Sequence, residues 1–452
     1  TTEAKTLSAN LFYGGGNWWD ISKYPASRKG YILDGWYDKA SGGEKVYQAD
    51  GSCVDGKYWK NKKYQYEGDL TVYAQWTAND GTIYTVNHYT QDLGASTYSL
   101  NSTESRTGIT GATVNISGLK KTIEGFTYSK AQVNGKDVTS TTVLADGSRV
   151  INLYYTRNSY NVVLNKGTGI SSVSGAGAYE YGASVTINAA LSKGYKWSKW
   201  TGTHNTSTEK YTFKMPADNV TDKANATPIA YMVKYDGNNA TEGSMASSRH
   251  TYNVEQSLTA NEYTKVGYTF EGWNTKADGT GTSYTDQQKV KNLSSKDGAT
   301  VILYAQWTPD DGTIYTVHHY LKDLGSATYT LHETEEKNGT TDATIILADE
   351  RKDYTGFTYE KGQVDGADVT ETTILPDGSR VIDLYYNRNT YNLTLDKGEG
   401  IDSVSGAGSY EYGATVTIDA IVSEDYTWNS WTGTNNTEQK NYTFTMPAED
   451  VQ

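Results

Sequence analysis

Cysteine and proline are scarce in these 452 residues, and long hydrophobic runs are missing. One cysteine, Cys53, excludes an intrachain disulfide framework and any zinc site made of several cysteines. No apolar run approaches the roughly 18 residues of a membrane-spanning helix. Basic residues are also in deficit, with 40 Lys+Arg against 53 Asp+Glu. The net charge of -13 argues against sequence-independent binding to DNA or RNA, which needs a positive surface.

Aromatic residues are abundant instead. They make up 12% of the chain, with 39 tyrosines and 11 tryptophans. Disordered chains are depleted in aromatic and β-branched residues, so this composition indicates folded domains. Large aromatic side chains remove much surface from water at a low cost in side-chain entropy, which small domains need. We therefore interpret most tyrosines and tryptophans as residues that hold small domains together.

Two long segments of the sequence repeat each other at a constant distance of 231 residues. The run DGTIYTV begins at Asp80 and again at Asp311, and the run LYY begins at Leu153 and again at Leu384. A fixed period of this kind is the signature of a tandem array of folded units.

Each repeat divides further into three modules. Short polar joints such as 77–80 and 308–311 separate the segments, and Pro228 and Pro309 fall at joints, where a missing N–H is tolerated. The joints are too short to act as flexible tethers. We predict six modules, called modules 1 to 6, with limits at 1–78, 79–158, 159–228, 229–308, 309–389 and 390–452.

Strand patterns dominate within the modules. The run 149–155 is rich in β-branched and aromatic residues. Alternation along a strand places Ile151, Leu153 and Tyr155 on one face, with Asn152 and Tyr154 on the other.

Signals for turns and helices are fewer. Asp146-Gly147 and Asp377-Gly378 stand just before corresponding strands and predict hairpin turns. Helical periodicity is scarce, so we expect short helices near 254–262 or after Asp286. Together the patterns predict a β-rich α+β fold, arranged as an elongated tandem array of small modules.

Three motifs in the modules resemble known repeats. A Gly-Tyr pair, a Gly-Trp pair and a closing Tyr-Ala-Gln-Trp follow one another twice, ending at Trp76 and Trp307. In modules 1 and 4 this pattern resembles the Listeria–Bacteroides repeat, the B-repeat of internalin-type surface proteins. Trp-Thr-Gly at Trp200, followed by Met-Pro at Met215, resembles the divergent relative of that repeat in modules 3 and 6. Gly-Phe-Thr-Tyr at Gly125, followed by the LYY run, resembles mucin-binding-protein (MucBP-like) repeats in modules 2 and 5.

These resemblances imply a fold and a location, and they do not imply a catalytic activity. The implied fold is the small β-grasp (ubiquitin-like) module, found on secreted, wall-attached proteins of Gram-positive bacteria. The implied location is extracellular, on the bacterial cell wall surface, as a monomeric elongated segment of a larger chain. The mucin-binding name is a family label and does not by itself assign a ligand.

Candidate catalytic and metal-binding residues each have a simpler interpretation. Cys53 lies in a Gly/Asp-rich loop with six extra residues that the second copy lacks, so we interpret it as an incidental cysteine rather than a nucleophile. His318 and His319 are adjacent in a predicted strand, so they face opposite sides and cannot easily chelate one metal. Acidic clusters such as 348–350 lack the spacing of a calcium loop. We expect no enzyme activity in this segment, no catalytic residue, no metal and no cofactor.

One group of aromatic residues belongs to the first module alone: Tyr13, Trp18, Trp19, Tyr58 and Trp59. If they share an exposed face, they would stack on sugar rings or on a protein loop and form a ligand-binding site. In the alternative, the tryptophans pack locally and complete an atypical terminal module, as the caps of repeat arrays do. Eight other tryptophans occupy matching positions in duplicated modules and are interpreted as core residues: Trp36, Trp76, Trp197, Trp200, Trp273, Trp307, Trp428 and Trp431.

Three hypotheses for the function stay open. The leading one is a non-catalytic stalk or adhesin region of a bacterial cell-surface protein, acting as a spacer and weak multivalent binder. The second is a set of modules that bind host mucin, another glycan or a host surface protein. The third is an ancillary region of a larger secreted enzyme. None of the three involves nucleic acid or membrane insertion.

Overall fold

The computed structural model describes residues 21–23 and 25–452. The chain divides into two compact units, Thr1–Thr227 and Pro228–Gln452, called unit 1 and unit 2. The described residues fold into short β-strands and three 3-10 turns, and they contain no α-helix. The expected β-rich character is confirmed, whereas the helical part of an α+β fold is not seen in this portion of the chain.

The described residues of unit 1 form nineteen strands and two 3-10 turns, η1 (Ile21–Lys23) and η2 (Ile116–Leu119). Most of its longer strands alternate buried and exposed residues, as expected for small sheets with one face on a core. Its strands are β1 (Tyr31–Tyr37), β2 (Lys45–Gln48), β3 (Trp59–Lys60), β4 (Lys63–Tyr64), β5 (Tyr73–Ala78), β6 (Thr82–Gln91), β7 (Tyr98–Gly108), β8 (Thr113–Asn115), β9 (Phe126–Val133), β10 (Lys136–Asp137), β11 (Ser140–Thr142), β12 (Val150–Arg157), β13 (Ser159–Lys166), β14 (Ile170–Ser174), β15 (Gly177–Glu180), β16 (Ser184–Leu191), β17 (Tyr195–Gly202), β18 (Tyr211–Lys214) and β19 (Val220–Pro228).

Unit 2 repeats much of this order and has one 3-10 turn, η3 (Leu347–Glu350). Its strands are β20 (Ala230–Asp236), β21 (Ser248–Thr251), β22 (Gln256–Ser257), β23 (Tyr268–Asn274), β24 (Ser283–Tyr284), β25 (Lys289–Val290), β26 (Thr300–Pro309), β27 (Thr313–Lys322), β28 (Tyr329–Gly339), β29 (Thr344–Ile346), β30 (Phe357–Val364), β31 (Ala367–Asp368), β32 (Glu371–Thr373), β33 (Val381–Arg388), β34 (Thr390–Leu393), β35 (Ile401–Ser405), β36 (Gly408–Glu411), β37 (Thr415–Val422) and β38 (Tyr442–Thr445).

Module 2 contains a five-stranded mixed sheet in the order β10-β9-β12-β6-β7. Its first long strand, β6, and its last, β12, are neighbours and run parallel, with Thr85 opposite Val150 and Thr90 opposite Tyr155. Strands β7 and β9 pair antiparallel with the outer sides of this central pair. Module 5 has the same order, β31-β30-β33-β27-β28, again with a parallel central pair, β27 and β33.

The faces of β12 are those that alternation predicts. Ile151, Leu153 and Tyr155 are fully buried on the core side. Asn152 and Tyr154 are half-buried on the outer face of the sheet. The prediction for this strand is confirmed.

The other modules are built from smaller sheets. Module 1 has a β2-β1-β5 sheet and the short hairpin β3-β4, and module 4 has a β21-β20-β26-β23-β24 sheet. Module 3 pairs β15-β13-β19-β17 in one sheet and β14-β16-β18 in another. Module 6 has the sheets β34-β36 and β35-β37-β38. In modules 3 and 4 the first and last strands are again parallel neighbours, β13 with β19 and β20 with β26.

Six separate hydrophobic clusters form the cores of the described part of the chain, and each is local in sequence. Aromatic side chains fill much of their volume, and Trp59, Trp200 and Trp273 are fully buried. Burial of a large apolar side chain contributes about 1.5–3 kcal/mol, so a few aromatic residues stabilise each small cluster substantially. The clusters span 21–72, 84–155, 160–226, 231–307, 315–386 and 391–451.

The predictions of short helices and of hairpin turns are wrong. Residues 254–262 contain the strand β22, which pairs with β25, beyond Asp286, instead of forming a helix. At the Asp-Gly pair in module 2, Gly147 closes a tight turn by donating its N–H to the Leu144 carbonyl at 3.0 Å. The chain then enters β12, which pairs with β6 and β9 and not with the preceding β11. The turn therefore leads into the sheet centre and does not form a hairpin.

The prediction that eight tryptophans are core residues is confirmed for the fully buried Trp200 and Trp273. The other six are half-buried, and four of them pack against a core cluster: Trp36, Trp197, Trp307 and Trp431. In four of the six half-buried tryptophans the indole N–H donates to a loop carbonyl. Trp197 donates to Ser207 at 2.7 Å, and Trp428 donates to Glu438 at the same distance. The half-buried tryptophans are Trp36, Trp76, Trp197, Trp307, Trp428 and Trp431.

Candidate functional site

The aromatic group predicted in module 1 is only partly within the described residues. Tyr13, Trp18 and Trp19 lie outside them, and their role stays a prediction. Tyr58 and Trp59 lie in the core of module 1, with 5% and 0% of their surface exposed. Trp59 is held edge-on between two buried tyrosines by the β3-β4 hairpin. These two side chains therefore offer no open ring face on which a sugar could stack.

The candidate nucleophile, Cys53, and the candidate metal ligands, His318 and His319, lie in surroundings typical of residues with a structural role. Cys53 is half-buried against the same core, and burial raises the pKa of its thiol, which disfavours the reactive thiolate. His319 is fully buried, whereas His318 lies on the opposite face and contacts Asp383 at 3.0 Å, as predicted for adjacent strand residues. Within residues 21–23 and 25–452, no three His, Cys, Asp or Glu side chains are placed to hold a metal ion.

The junction between modules 1 and 2 is a specific set of backbone contacts. The N–H of Asn79 donates to the carbonyl of Gly30 at 3.0 Å, and the N–H of Thr110 donates to the carbonyl of Asn79 at 2.8 Å. The hydroxyl of Thr110 hydrogen bonds to that of Thr82 at 2.7 Å, and both threonines are buried. Gly30 has φ +75, and a Cβ there would lie 2.6 Å from the carbonyl oxygen of Ala145. Glycine thus allows the two modules to touch.

The junction between modules 4 and 5 has the same contacts. The N–H of Asp310 donates to Gly267 at 2.9 Å, and the N–H of Thr341 donates to Asp310 at 2.8 Å. Thr313 and Thr341 share a hydroxyl hydrogen bond of 2.6 Å. Gly267 has φ +74 and approaches the carbonyl of Pro376 as Gly30 approaches Ala145. Both copies therefore fix the first joint in the same way.

Arg157 is the centre of the junction between modules 2 and 3. Its guanidinium donates to the carbonyls of Tyr181 and Gln91, each at 2.8 Å, and lies 4.7 Å above the ring of Phe126. A charged donor and an aromatic face both strengthen such contacts. The last strand of module 2 and a loop of module 3 are thereby held by one side chain.

The backbone around Arg157 closes the same junction. Asn158 accepts from the N–H of Tyr181 at 2.8 Å and donates its own N–H to Gly125 at 2.9 Å. Gly125 has φ +77, and a Cβ there would lie 2.1 Å from the ring of Tyr181. The N–H of Gly94 donates to the Glu180 carboxylate at 2.7 Å. The joint is a packed surface and not a free hinge.

The junction between modules 5 and 6 repeats this arrangement around Arg388. Its guanidinium donates to Tyr412 at 2.8 Å and to Lys322 at 3.1 Å, and lies 4.7 Å above Phe357. A Cβ on Gly356, with φ +82, would lie 2.2 Å from the ring of Tyr412. Sequence reasoning missed both arginine junctions. The available signal was that each junction residue named in modules 2 and 3, except Gln91, recurs unchanged 231 residues later.

A strip of tyrosines crosses the outer face of each five-stranded sheet. In module 2, Tyr89 and Tyr154 stack with ring centroids 5.2 Å apart, and Tyr98 meets Tyr154 edge-on. Lys130 lies above Tyr154 at 5.7 Å. Burial raises the pKa of the Tyr154 hydroxyl, which keeps it neutral at physiological pH. The tyrosine strip consists of Tyr89, Tyr98 and Tyr154 in module 2, and the matching strip of module 5 consists of Tyr320, Tyr329 and Tyr385.

The strip in module 5 has the same geometry with a different charge. Tyr320 and Tyr385 stack at 5.0 Å, and Tyr329 meets Tyr385 edge-on. Tyr329 also donates to Glu360, and burial together with that bond raises its pKa to about 12. Module 2 has Ser129 in place of Glu360. The two strips therefore share the same ring arrangement and differ in charge, because module 5 has the Glu360 carboxylate where module 2 has Ser129.

A buried histidine ties the edge strand of each sheet to the core. In module 2, His88 contacts the hydroxyl of Tyr155 at 3.0 Å through Nδ1, and its Nε2 faces Glu104 at 3.7 Å. Hydrogen bonds from a lysine and an arginine lower the pKa of Glu104 to about 2. In module 5, His319 bonds to Glu335 at 3.2 Å. Burial lowers the pKa of both imidazoles, so both are neutral at pH 7.

A shallow, open depression recurs beside β9 and β30. It has a volume of about 710 Å³ in module 2, where Tyr128 and Lys130 line it, and about 640 Å³ in module 5, where Tyr359 and Lys361 line it. It has no enclosed floor of the kind that excludes water from a reaction.

Comparison with known proteins identifies several segments. Residues 16–75 and 231–306 match the Listeria-Bacteroides repeat domain, and residues 160–230 and 391–452 match the divergent InlB B-repeat domain. The resemblances stated for modules 1, 3, 4 and 6 are confirmed. The MucBP-like resemblance of modules 2 and 5 stays a prediction.

Two relatives come from Evansella cellulosilytica. A protein named "Putative membrane protein" is 26% identical over 388 residues, which is 82% of this chain and 53% of the relative. One named "Putative Gly-rich membrane protein" is 30% identical over 159 residues, which is 34% of this chain and 18% of the relative. The chain thus spans about half the first relative and less of the second. Within its described residues, no helix has the length and apolar character to cross a membrane.

Among solved structures, the Bacillus anthracis TIE protein aligns with 84% of this chain and 69% of its own, at 10% identity and a TM-score of 0.24. That score is too low to support an argument about arrangement. The sequence matches, by contrast, cover both copies of two module types. Four segments of this chain thus match the models of the Listeria-Bacteroides repeat and divergent InlB B-repeat domains.

Proposed function

We propose that the chain is a non-catalytic stalk in a surface protein of a Gram-positive bacterium, where it holds other parts of the protein away from the cell wall. The observation that supports this proposal is that both types of junction occur twice with the same contacts. A spacer needs fixed joints between successive modules, because free hinges would let it collapse. Arg157 and Arg388 supply such joints in units 1 and 2.

The module families and sheet order agree with this proposal. B-repeat modules are expected on surface proteins, and the chain covers only part of its relatives. We also propose the β-grasp fold for modules 2 and 5. Its support is a mixed sheet with a first hairpin, β6-β7 or β27-β28, and a central parallel pair of first and last strands.

A display experiment tests the stalk. The 452-residue segment would be placed between a wall anchor and a small reporter domain on a Gram-positive cell, and the capture of antibody-coated beads by the reporter would be measured. Deleting residues 229–452 should reduce capture. Replacing the same residues with a Gly/Ser linker of equal length should reduce it too, because a flexible chain does not hold its ends apart. Equal capture by all three versions would contradict the proposal.

The tyrosine strip supports a second candidate function, the weak binding of a glycan or a host protein by several modules at once. Stacked rings with a nearby lysine and amides can contact a sugar through both its apolar face and its hydroxyls. Linked weak sites gain avidity. Binding to mucin-coated surfaces and glycan arrays should fall at least tenfold in a Tyr154→Ala/Tyr385→Ala variant. A Val254→Ala variant, which changes an exposed residue in module 4, outside the two modules that carry the strip, should bind normally. No binding by the unmodified chain would exclude this candidate.

A further inference from the structure

The first and last strands of four modules are parallel neighbours. This holds for β6 with β12, β13 with β19, β20 with β26, and β27 with β33. When a module is pulled at its two ends, parallel terminal strands are driven past each other along their length. All hydrogen bonds between the two strands then share the load, instead of breaking one after another as in an opened hairpin.

The chain passes from one such pair almost directly into the next. Asn158 alone separates the last strand of module 2, β12, from the first strand of module 3, β13. Three residues separate the last strand of module 4, β26, from the first strand of module 5, β27. Tension applied along the chain therefore enters each of these four modules through its parallel terminal strands.

Side chains reinforce the parallel pair in modules 2 and 5. Asn87 on β6 donates to Asn152 on β12 at 2.9 Å, beside the stacked rings of the tyrosine strip. In module 5, His318 on β27 contacts Asp383 on β33 at 3.0 Å in the same place. The contact is kept although the chemistry differs, which indicates that joining these two strands is what matters at this position.

We propose that the modules bear mechanical load, with each parallel pair of terminal strands acting as the element that resists tension along the chain. This inference rests on the stalk proposal for its biological setting and on strand geometry for its physics. Resistance to mechanical load is a property that a spacer does not need. Resistance to pulling depends on the unfolding rate under force and on the direction of force, and not on equilibrium stability alone.

Single-molecule pulling on the full chain in two directions tests the proposal. In a Cys53→Ser background, handles attached at Asp80→Cys and Ser159→Cys load β6 against β12 in shear. Handles at Asp80→Cys and Ile109→Cys instead open the β6-β7 hairpin from one end, because Thr82 and Gly108 are paired there. Asp80, Ser159 and Ile109 are exposed, so both attachments leave the core intact.

The shear direction should require at least twice the force of the opening direction at the same loading rate. Its unfolding step should release roughly 270 Å of chain, against roughly 100 Å for the hairpin, from about 3.4 Å per extended residue. Asn152→Ala should lower the shear force and leave the hairpin force unchanged, because Asn152 lies on β12. Equal forces in the two directions, or a shear force indifferent to Asn152→Ala, would overturn the proposal. Either result would leave the stalk to be judged by the display experiment.

Discussion

Gly125→Ala tests the junction between modules 2 and 3 most sharply, since a matched control exists in the same module. Gly125 has φ +77, and its added Cβ would lie 2.1 Å from the ring of Tyr181. Gly135 has φ +76, and nothing lies within 4 Å of its added Cβ. The two alanine variants therefore share the same backbone strain and differ in the clash with module 3.

The expected magnitudes follow from this difference. An alanine in the left-handed region costs about 1–2 kcal/mol, which both variants should lose. Gly125→Ala must also displace the Tyr181 ring, which is packed edge-on against Phe126. Overpacking of this kind costs about 1–3 kcal/mol more. The free energy that keeps the junction closed should fall by that additional amount in Gly125→Ala alone.

Hydrogen exchange followed by mass spectrometry on the intact chain measures this loss. The amide of Tyr181, which donates to Asn158, should exchange roughly 5- to 150-fold faster in Gly125→Ala than in Gly135→Ala. The matching amide of Tyr412, which donates to Asn389 in unit 2, serves as an internal reference and should not change. Equal protection of Tyr181 in the two variants would refute a packed junction.

Three further predictions concern other groups. Arg157→Met keeps the aliphatic stem but removes the guanidinium, so amide hydrogen exchange should accelerate at the junction of modules 2 and 3. The amides at the Arg388 junction should keep their protection. Unchanged exchange at the first junction would contradict the role of the guanidinium. Burial lowers the folded-state pKa values of His88 and His319, so as the pH falls the histidines of the unfolded chain take up protons first. The thermal stability of modules 2 and 5 should therefore be full above about pH 6.5 and decrease below that pH. A flat calorimetric profile between pH 7.5 and 5 would disprove this. Cys53 should react with iodoacetamide more slowly than free glutathione at pH 8 and recover a normal rate in denaturant, whereas a faster reaction in the folded chain would indicate an activated thiol.

The sequence predicted the repeated organisation well because duplication is visible without any structure. A period of 231 residues and the alternation in β12 are local properties of the chain. They are sufficient to place Ile151 and Leu153 in a core, and the structure buries both. Strand alternation also predicts that His318 and His319 face opposite sides, as they do in the structure.

The contacts at the junctions could not be predicted from the sequence, for a physical reason. Arg157 binds backbone carbonyls, which every residue carries, so no partner residue type reveals the contact. The half-buried tryptophans were missed for a related reason. Trp197 is half-buried with its indole N–H donating to the Ser207 carbonyl, and the position of that carbonyl depends on a loop.

The helix expectation failed where composition and backbone geometry disagree. Residues 254–262 lack strong breakers, yet Asn253 just before them has φ +66 and sends the chain into a turn. Short extended segments then find partners at residues 289–290. Such pairing is set by tertiary contacts, which override a weak local propensity.

Residual dipolar couplings measured on the intact, deuterated chain test the central claim most directly, because they report whether neighbouring modules move as one body. We predict that amides of modules 2 and 3 share one alignment tensor, and that amides of modules 5 and 6 do so as well. A markedly smaller tensor for one partner in either pair would show that the Arg157 and Arg388 junctions do not hold the modules together, and the stalk account would fail.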